Sequence, residues 1–156
     1  MMTPFKRILL VDDNAKDVEL TLAALDEHHL ANEVVIASDG AEALDYLYCR
    51  GKHVARAPEN PVVILLDLKM PKVDGLEVLR RLKSDDRMKT IPIVMLTSSR
   101  EENDLIESYR LGVNAYVVKP VDFQEFIGAV KELGFFWAMI NEAPPAKIGQ
   151  AASVQG

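Results

Sequence analysis

The stretch PVVILLDLKMP, residues 61–71, decides the fold of this chain. Its apolar run ends at Asp67 and is followed by Met70-Pro71. An apolar run of this length before such a break predicts a buried strand, and open α/β sheets place their chemistry where such strands end. Ile8–Val11 ends in the same way, at Asp12 and Asp13. The sequence therefore predicts carboxylates at the ends of two buried parallel strands.

Strand and helix patterns alternate along the whole sequence. The predicted strands are Arg7–Val11, Glu33–Ala37, a third strand ending at Asp67, Ile91–Leu96 and Ala115–Val118. The predicted helices are about Asn14–His29, a second helix capped by Ser38 or Asp39, Gly75–Lys83, Glu101–Leu111 and Asp122–Ile140. Five strand–helix units in series imply one α/β domain, in which helices cover both faces of a parallel sheet.

Composition and charge exclude several classes of protein. The length of 156 residues suits one domain, and the net charge of −6 argues against a nucleic-acid-binding surface. The apolar run after Lys6 and Arg7 is shorter than the roughly 7–15 residues of a signal-peptide core. A single cysteine, Cys49, suits a reducing compartment. We therefore expect a cytoplasmic protein with neither a nucleic-acid nor a membrane partner.

The strand ends predict a site for a cation and a phosphoryl group. Because parallel strands end at the same edge of a sheet, Asp12, Asp13 and Asp67 should converge. One such aspartate alone is more often a helix cap, but three that repel each other need a cation. Hard oxygen ligands suit Mg²⁺. Thr97 and Lys119, which close two further strands, can offer a hydroxyl and a positive charge to a phosphoryl oxygen.

Four motifs together resemble the receiver domain of two-component response regulators over roughly residues 6–140. They are Val11-Asp12-Asp13-Asn14, Leu66-Asp67-Leu68-Lys69-Met70-Pro71 with Asp74-Gly75, Leu96-Thr97-Ser98, and Tyr116-Val117-Val118-Lys119-Pro120. The resemblance implies a flavodoxin-like, doubly wound (βα)5 fold with strand order 2-1-3-4-5. We expect this receiver domain to span residues 1–142. Residues 143–156 contain prolines and lack an apolar pattern, so they should form a flexible tail.

The resemblance also implies a role for each site residue. Asp67 would accept a phosphoryl group from the phosphohistidine of a sensor histidine kinase. Asp13, Asp67 and the backbone carbonyl of Lys69 would hold Mg²⁺, with Asp12 acting through water.

Two further positions of the family carry its conformational signal. By resemblance, Thr97 would move toward the phosphoryl group and Tyr116 would turn inward behind it. Such a switch is a two-state equilibrium biased by one ligand. We expect no enzymatic activity beyond phosphorylation and dephosphorylation of the protein itself.

The C-terminal part of the sequence predicts an interaction surface. No output domain follows the predicted fifth helix, so we expect output through protein–protein contacts. Phe135 and Met139 lie opposite the stripe of that helix that should face the sheet, and Phe136 lies between the two faces. Residues 136–145, with the long Arg50–Asn60 loop, resemble the single-domain regulators that partner bacterial phytochromes. This resemblance implies a phytochrome kinase as partner and a homodimer formed through the C-terminal helix.

Three other interpretations remain open on the sequence alone. A Mg²⁺-dependent phosphatase with an aspartyl nucleophile would carry an Asp-x-Asp motif after the first strand, whereas this chain has Asp12-Asp13-Asn14. A flavodoxin-like FMN carrier would need a loop rich in Ser, Thr and Gly at the same place. A receiver-like module that is never phosphorylated is the third.

Overall fold

A five-stranded, fully parallel sheet forms the centre of the computed structural model, which describes residues 7–27, 33–56, 59–70, 72–97, 102–119 and 124. The strands are β1 (Arg7–Val11), β2 (Glu33–Ala37), β3 (Val63–Asp67), β4 (Ile93–Thr97) and β5 (Ala115–Val118). The helices are α1 (Ala15–Glu27), α2 (Gly40–Leu47), α3 (Gly75–Lys83) and α4 (Glu102–Arg110), with one 3₁₀ turn at Gly51–His53. The strand order is β2-β1-β3-β4-β5, which confirms the predicted topology.

The two faces of the sheet bury alternate residues of the same strands. Leu9, Val11, Ile64 and Leu66 pack with buried side chains of α2 and α3. Ile8, Leu10, Val63 and Leu65 pack on the other face with Leu25 of α1. Every residue of β3 is buried, as expected for a central parallel strand with helices on both sides.

The register of the strands brings their carboxyl ends together at one edge. Val11 lies beside Leu66, and Asp67 lies beside Leu96. Thr97, at the end of β4, lies beside Val118 of β5. The residues that follow β1 and β5 therefore lie close to the last residue of β3.

Several predicted boundaries differ from those observed. The fourth strand begins at Ile93 rather than Ile91 and includes Thr97. The intervening Pro92 has no N–H to donate to a ladder, although its carbonyl accepts a hydrogen bond from Ile64 N at 2.9 Å. Leu111 lies beyond the end of α4, in the turn before Gly112 (φ 97°). Asp39, rather than Ser38, caps α2 through a hydrogen bond from the Glu42 N–H.

The described part of the Arg50–Asn60 loop is anchored to α2. The Arg56 guanidinium lies 4.1 Å from the ring centre of Tyr46. It donates hydrogen bonds to the carbonyls of Tyr46 at 2.8 Å and Glu59 at 2.7 Å. The Tyr46 carbonyl, in the last turn of α2, also accepts from the Cys49 N–H at 3.3 Å, so Arg56 adds a second hydrogen bond at this helix end. Lys52 adds an ion pair to Glu42 at 2.7 Å.

Some predictions concern residues outside the described part of the chain. These are the fifth helix at 122–140, the interface candidates Phe135, Phe136 and Met139, and the tail at 143–156. Among the helices that the structure does describe, none has the length and apolar character needed to cross a membrane.

Candidate phosphoryl and metal site

Three carboxylates meet at the carboxyl edge of the sheet. Asp12 and Asp13 follow β1 directly, and Asp67 is the last residue of the neighbouring β3. One oxygen from each lies within 4.8 Å of the others. Asp12 and Asp67 are buried, with 2% and 6% of their surface exposed, while Asp13 is exposed. The structure thus brings together the three aspartates that the sequence placed at strand ends.

Lys119, the residue after β5, reaches across the edge into this cluster. Its Nζ lies 2.8 Å from Asp12 Oδ2 and 3.4 Å from Asp67 Oδ2. The lysine side chain is only 7% exposed. A buried ammonium is tolerated where opposite charges and hydrogen bonds surround it, and here the aspartates supply both.

A fourth carboxylate, which the sequence analysis did not single out, also binds this lysine. Asp17 Oδ2 lies 2.8 Å from Lys119 Nζ. Asp17 lies in the first turn of α1, and its N–H donates to Asn14 Oδ1 at 3.0 Å. Its position in the sequence could have indicated this role, because a helix that directly follows a parallel strand begins at the edge of the sheet where the site lies.

Burial and charge shift the protonation of both central groups. Burial raises the pKa of Asp67 to about 7; the charge on Lys119 opposes this shift, and Asp12 and Asp13 add to it. Burial alone would lower the pKa of Lys119, but hydrogen bonds to Asp12 and Asp17 outweigh it and hold that pKa above its ordinary value. The lysine therefore stays charged at neutral pH, while burial makes the ionised form of Asp67 unfavourable.

Backbone contacts fix the loops that carry these groups. Asp12 Oδ1 accepts a hydrogen bond from Asn14 N at 2.9 Å, which sets the turn into α1. Gly75, the first residue of α3, packs so closely on β3 that an added Cβ would lie 2.2 Å from the Asp67 carbonyl oxygen. Asp74 caps α3 by accepting from Glu77 N at 3.0 Å. Only glycine fits at position 75 without moving Asp67.

Of the other predicted site residues, Thr97 and Lys69 lie at this edge, and Tyr116 lies two residues before the end of β5. Thr97 ends β4, but its side chain lies outside the described atoms. Tyr116, in β5, is half-buried and packs against the core on the α2 and α3 face. Lys69 is exposed and lies two residues beyond Asp67.

The donor set fits a divalent cation. Three carboxylates within 4.8 Å of one another offer hard oxygen ligands, and the exposed Asp13 leaves one side open to water. Mg²⁺ typically binds through a few carboxylates and keeps several waters. Burial, with the charges of Asp12 and Asp13, also raises the pKa of Asp67, so a bound cation would stabilise its ionised form.

The sheet topology, the acidic cluster and the buried lysine together define a phosphoryl-receiving regulatory domain of the flavodoxin-like type. The family model described as the response regulator receiver domain matches residues 8–131. The chain belongs to this family, whose function is phosphorylation on an aspartate.

Relatives of this chain include regulators associated with phytochromes. Response regulator Rcp1 of Synechocystis sp. is 38% identical over 143 residues, which cover 92% of this chain and 96% of Rcp1. The solved bacteriophytochrome response regulator AtBRR is 59% identical, with a TM-score of 0.82, covering 90% of this chain and all of AtBRR. The bacteriophytochrome response regulator RtBRR is 53% identical, with a TM-score of 0.81 and 96% of each chain covered.

One of these relatives has been solved with a metal. The Mn²⁺-bound form of Rcp1 superposes with a TM-score of 0.71 at 37% identity, covering 90% of this chain and 99% of that one. Together with the acidic cluster of the present chain, this likeness agrees with a divalent-metal site at the carboxyl edge.

Proposed function

We propose that Asp67 accepts a phosphoryl group from the phosphohistidine of a sensor histidine kinase. The observation that carries the proposal is the position of Asp67: a buried carboxylate at the end of the central strand, beside Lys119 and two further aspartates. Parallel α/β sheets present their reacting groups at this edge. Burial raises the pKa of Asp67 to about 7, so an added cation would stabilise its ionised form.

The proposed transfer needs few groups. One oxygen of Asp67 attacks phosphorus, the P–N bond breaks, and its electron pair stays on the imidazole nitrogen, so the ring leaves as neutral imidazole when its other nitrogen carries a proton. Lys119 holds a positive charge where the phosphoryl oxygens gather. A divalent cation such as Mg²⁺, held by Asp12, Asp13, Asp67 and the Lys69 carbonyl, supplies further charge neutralisation when bound. The product is an acyl phosphate on Asp67 and a neutral histidine on the kinase.

The switch residues extend this proposal to signal output. Thr97 would bind the new phosphoryl group, and Tyr116 would move further into the space behind it. Tyr116 supports this role because it is already half-buried against the core, on a strand that neighbours β4. A bias of about 1–3 kcal/mol between two conformations is sufficient for such coupling.

The partners in this proposal are a kinase of phytochrome type and a second copy of the chain. Its support is the likeness to Rcp1, AtBRR and RtBRR over most of their length. The dimer would form through Phe135, Phe136 and Met139 of the predicted fifth helix. The receiver domain would span residues 1–142 and act in the cytoplasm, with 143–156 as its tail.

Incubation with acetyl phosphate and Mg²⁺, followed by intact-mass measurement, tests the acceptor. We expect the mass of one phosphoryl group on the wild type and none on Asp67→Asn. Asp86→Asn, whose side chain is 91% exposed, is the matched control and should be modified like the wild type. An unmodified wild type, or a modified Asp67→Asn, contradicts the proposal.

Two further measurements separate the remaining interpretations. Sustained release of phosphate over many turnovers from a phosphomonoester would favour the phosphatase interpretation, whereas we expect no turnover beyond the protein's own acyl phosphate. Light scattering tests the dimer, which Phe135→Ala with Met139→Ala should weaken. A wild type that is monomeric with and without a phosphoryl mimic contradicts the dimer alone.

A further inference from the structure

Asp17 stands out because it binds the lysine of the site from outside the acidic cluster. Lys119 Nζ lies 2.8 Å from Asp17 and 2.8 Å from Asp12, but 3.4 Å from Asp67. An ammonium has three hydrogen-bond donors. Its two shortest contacts are therefore to carboxylates of α1 and of the residue after β1, and not to the proposed acceptor at the end of β3.

A helix-capping role alone does not account for this contact. Three helices of the fold begin alike, with an Asn or Asp cap whose side chain accepts from the N–H of an acidic residue three positions later. These pairs are Asn14–Asp17 in α1, Asp39–Glu42 in α2 and Asp74–Glu77 in α3. Acidic residues in the first turn are favoured by the helix dipole in all three.

The partners of these three acidic residues differ. Glu77 pairs with Arg80 and Arg81 of its own helix, and Glu42 pairs with Lys52 of the adjacent loop. Asp17 instead pairs with Lys119, which follows β5 and lies 3.4 Å from the proposed acceptor. Its carboxylate therefore has a target that the helix start does not require.

We propose that Asp17 is a positioning residue that retains Lys119 in the unphosphorylated protein and competes for it with the phosphoryl group on Asp67. The proposal rests on the proposed function of Asp67. A phosphoryl group brings additional negative charge and acceptor oxygens to Asp67, so it attracts the Lys119 ammonium away from its two shorter contacts. The contact to Asp17 opposes that movement, since it is one of the two shortest that the lysine makes.

The competition predicts the direction of an effect. Removing the charge of Asp17 leaves Lys119 paired with Asp12 and makes a second donor of the ammonium available to Asp67. The site should then bind a phosphoryl mimic more tightly. Asp17 is 34% exposed at its side chain, so the effect should be that of a partly solvated ion pair, about two- to fivefold in affinity.

Calorimetric titration of the full chain with beryllofluoride in saturating Mg²⁺ tests the proposal. Asp17→Asn should bind about two- to fivefold more tightly than the wild type. Asp17→Ala repeats the test without an amide, and Asp17→Glu, which restores the charge, should return toward wild-type affinity. Glu77→Gln is the matched control, because it removes the equivalent acidic residue of α3 and should leave the affinity unchanged.

A second readout needs neither metal nor mimic. The NMR signals of the Lys119 side chain in the metal-free protein should shift in Asp17→Asn and not in Glu77→Gln. A purely capping role would lower the melting temperature of Asp17→Asn while leaving both the Lys119 signals and the beryllofluoride affinity unchanged.

The outcomes separate this inference from the proposed function. Unchanged or weaker beryllofluoride binding in Asp17→Asn, with normal binding in the wild type, overturns the role of Asp17 alone. A wild type that binds no beryllofluoride overturns the acceptor role of Asp67 and the competition with it. Tighter binding in Asp17→Asn with unshifted Lys119 signals also overturns the proposal, because the gain would then be general electrostatics.

Discussion

Replacing Asp67 with asparagine should stabilise the metal-free protein. The side chain is 9% exposed, and burial raises its pKa from 3.8 to about 7. Above pH 7 Asp67 is therefore ionised in the native state, and its ionised form has a higher free energy there than in the unfolded chain. Asparagine has nearly the same shape and carries no charge, so it removes that cost.

The magnitude follows from the shift in pKa. One pKa unit corresponds to about 1.4 kcal/mol, so the full cost of ionised Asp67 is about 4 kcal/mol. This shift already includes the attraction of Lys119, but part of the gain is lost because the buried asparagine amide has to be desolvated as well. We expect Asp67→Asn to raise the free energy of unfolding by about 1–3 kcal/mol, or the melting temperature by about 3–10 °C.

The dependence on pH has a definite sign. Between pH 3.8 and about 7, Asp67 is protonated in the native state and ionised in the unfolded state. The native state then binds more protons, so the stability of the wild type falls as pH rises through this window and levels off above it. The advantage of Asp67→Asn should accordingly be small near pH 4 and largest above pH 7.

Urea unfolding in EDTA at pH 4, 5.5 and 7.5 measures both effects, with Asp86→Asn as the control for an exposed aspartate. Saturating Mg²⁺ should then stabilise the wild type, by about 2.7 kcal/mol at a concentration one hundred times its dissociation constant. The gain should be smaller in Asp67→Asn, which lacks one ligand. A variant that is less stable than the wild type in EDTA at pH 7.5 would refute the reasoning, since Asp67 would then stabilise the metal-free fold.

Three shorter predictions concern the elements around the site. Hydrogen bonds from lysine and serine donors outweigh burial and hold the pKa of Glu42 at about 2. Ionised Glu42 therefore stabilises the folded protein above pH 4.5, and this contribution is lost as pH falls toward 2. Glu42→Gln should therefore cost about 1–2 kcal/mol in urea unfolding at pH 7 and almost nothing at pH 2, and an equal cost at both would contradict this. Arg56→Ala should lower the free energy of unfolding by about 1–2 kcal/mol through its lost contacts to Tyr46, with Arg56→Lys restoring little; a neutral Arg56→Ala would mean that the loop is not anchored there. Gly75→Ala should lower the free energy of unfolding by about 2 kcal/mol or more, because its Cβ would overlap the Asp67 carbonyl. Helix propensity alone predicts a gain of up to about 1 kcal/mol, so a higher melting temperature in the variant would contradict the overlap.

The sequence predicts the sheet and its acidic edge because both depend on local patterns. The apolar run before Asp67 marks a buried strand, and parallel strands necessarily bring their ends together. Asp17 escaped prediction because an acidic residue in a first helical turn is usually explained by the helix dipole alone. Its contact with Lys119 depends on how α1 is rotated against the sheet edge. Arg56 escaped for the same reason, since its place above Tyr46 depends on the path of an irregular loop.

The charge balance at the sheet edge links stability to function. Three carboxylates, those of Asp12, Asp17 and Asp67, contact the ammonium of Lys119, and an oxygen of Asp13 lies within 4.8 Å of oxygens of Asp12 and Asp67. A fold selected for stability alone would have fewer buried charges, since ionised groups away from water lose hydration. The same low-dielectric surroundings strengthen every attraction to an added cation or to the lysine. The burial that makes ionised Asp67 unfavourable in the metal-free protein thus increases what a cation gains by binding there. In the absence of a ligand, Lys119 lowers the cost of ionised Asp67 less when Asp17 holds it more firmly.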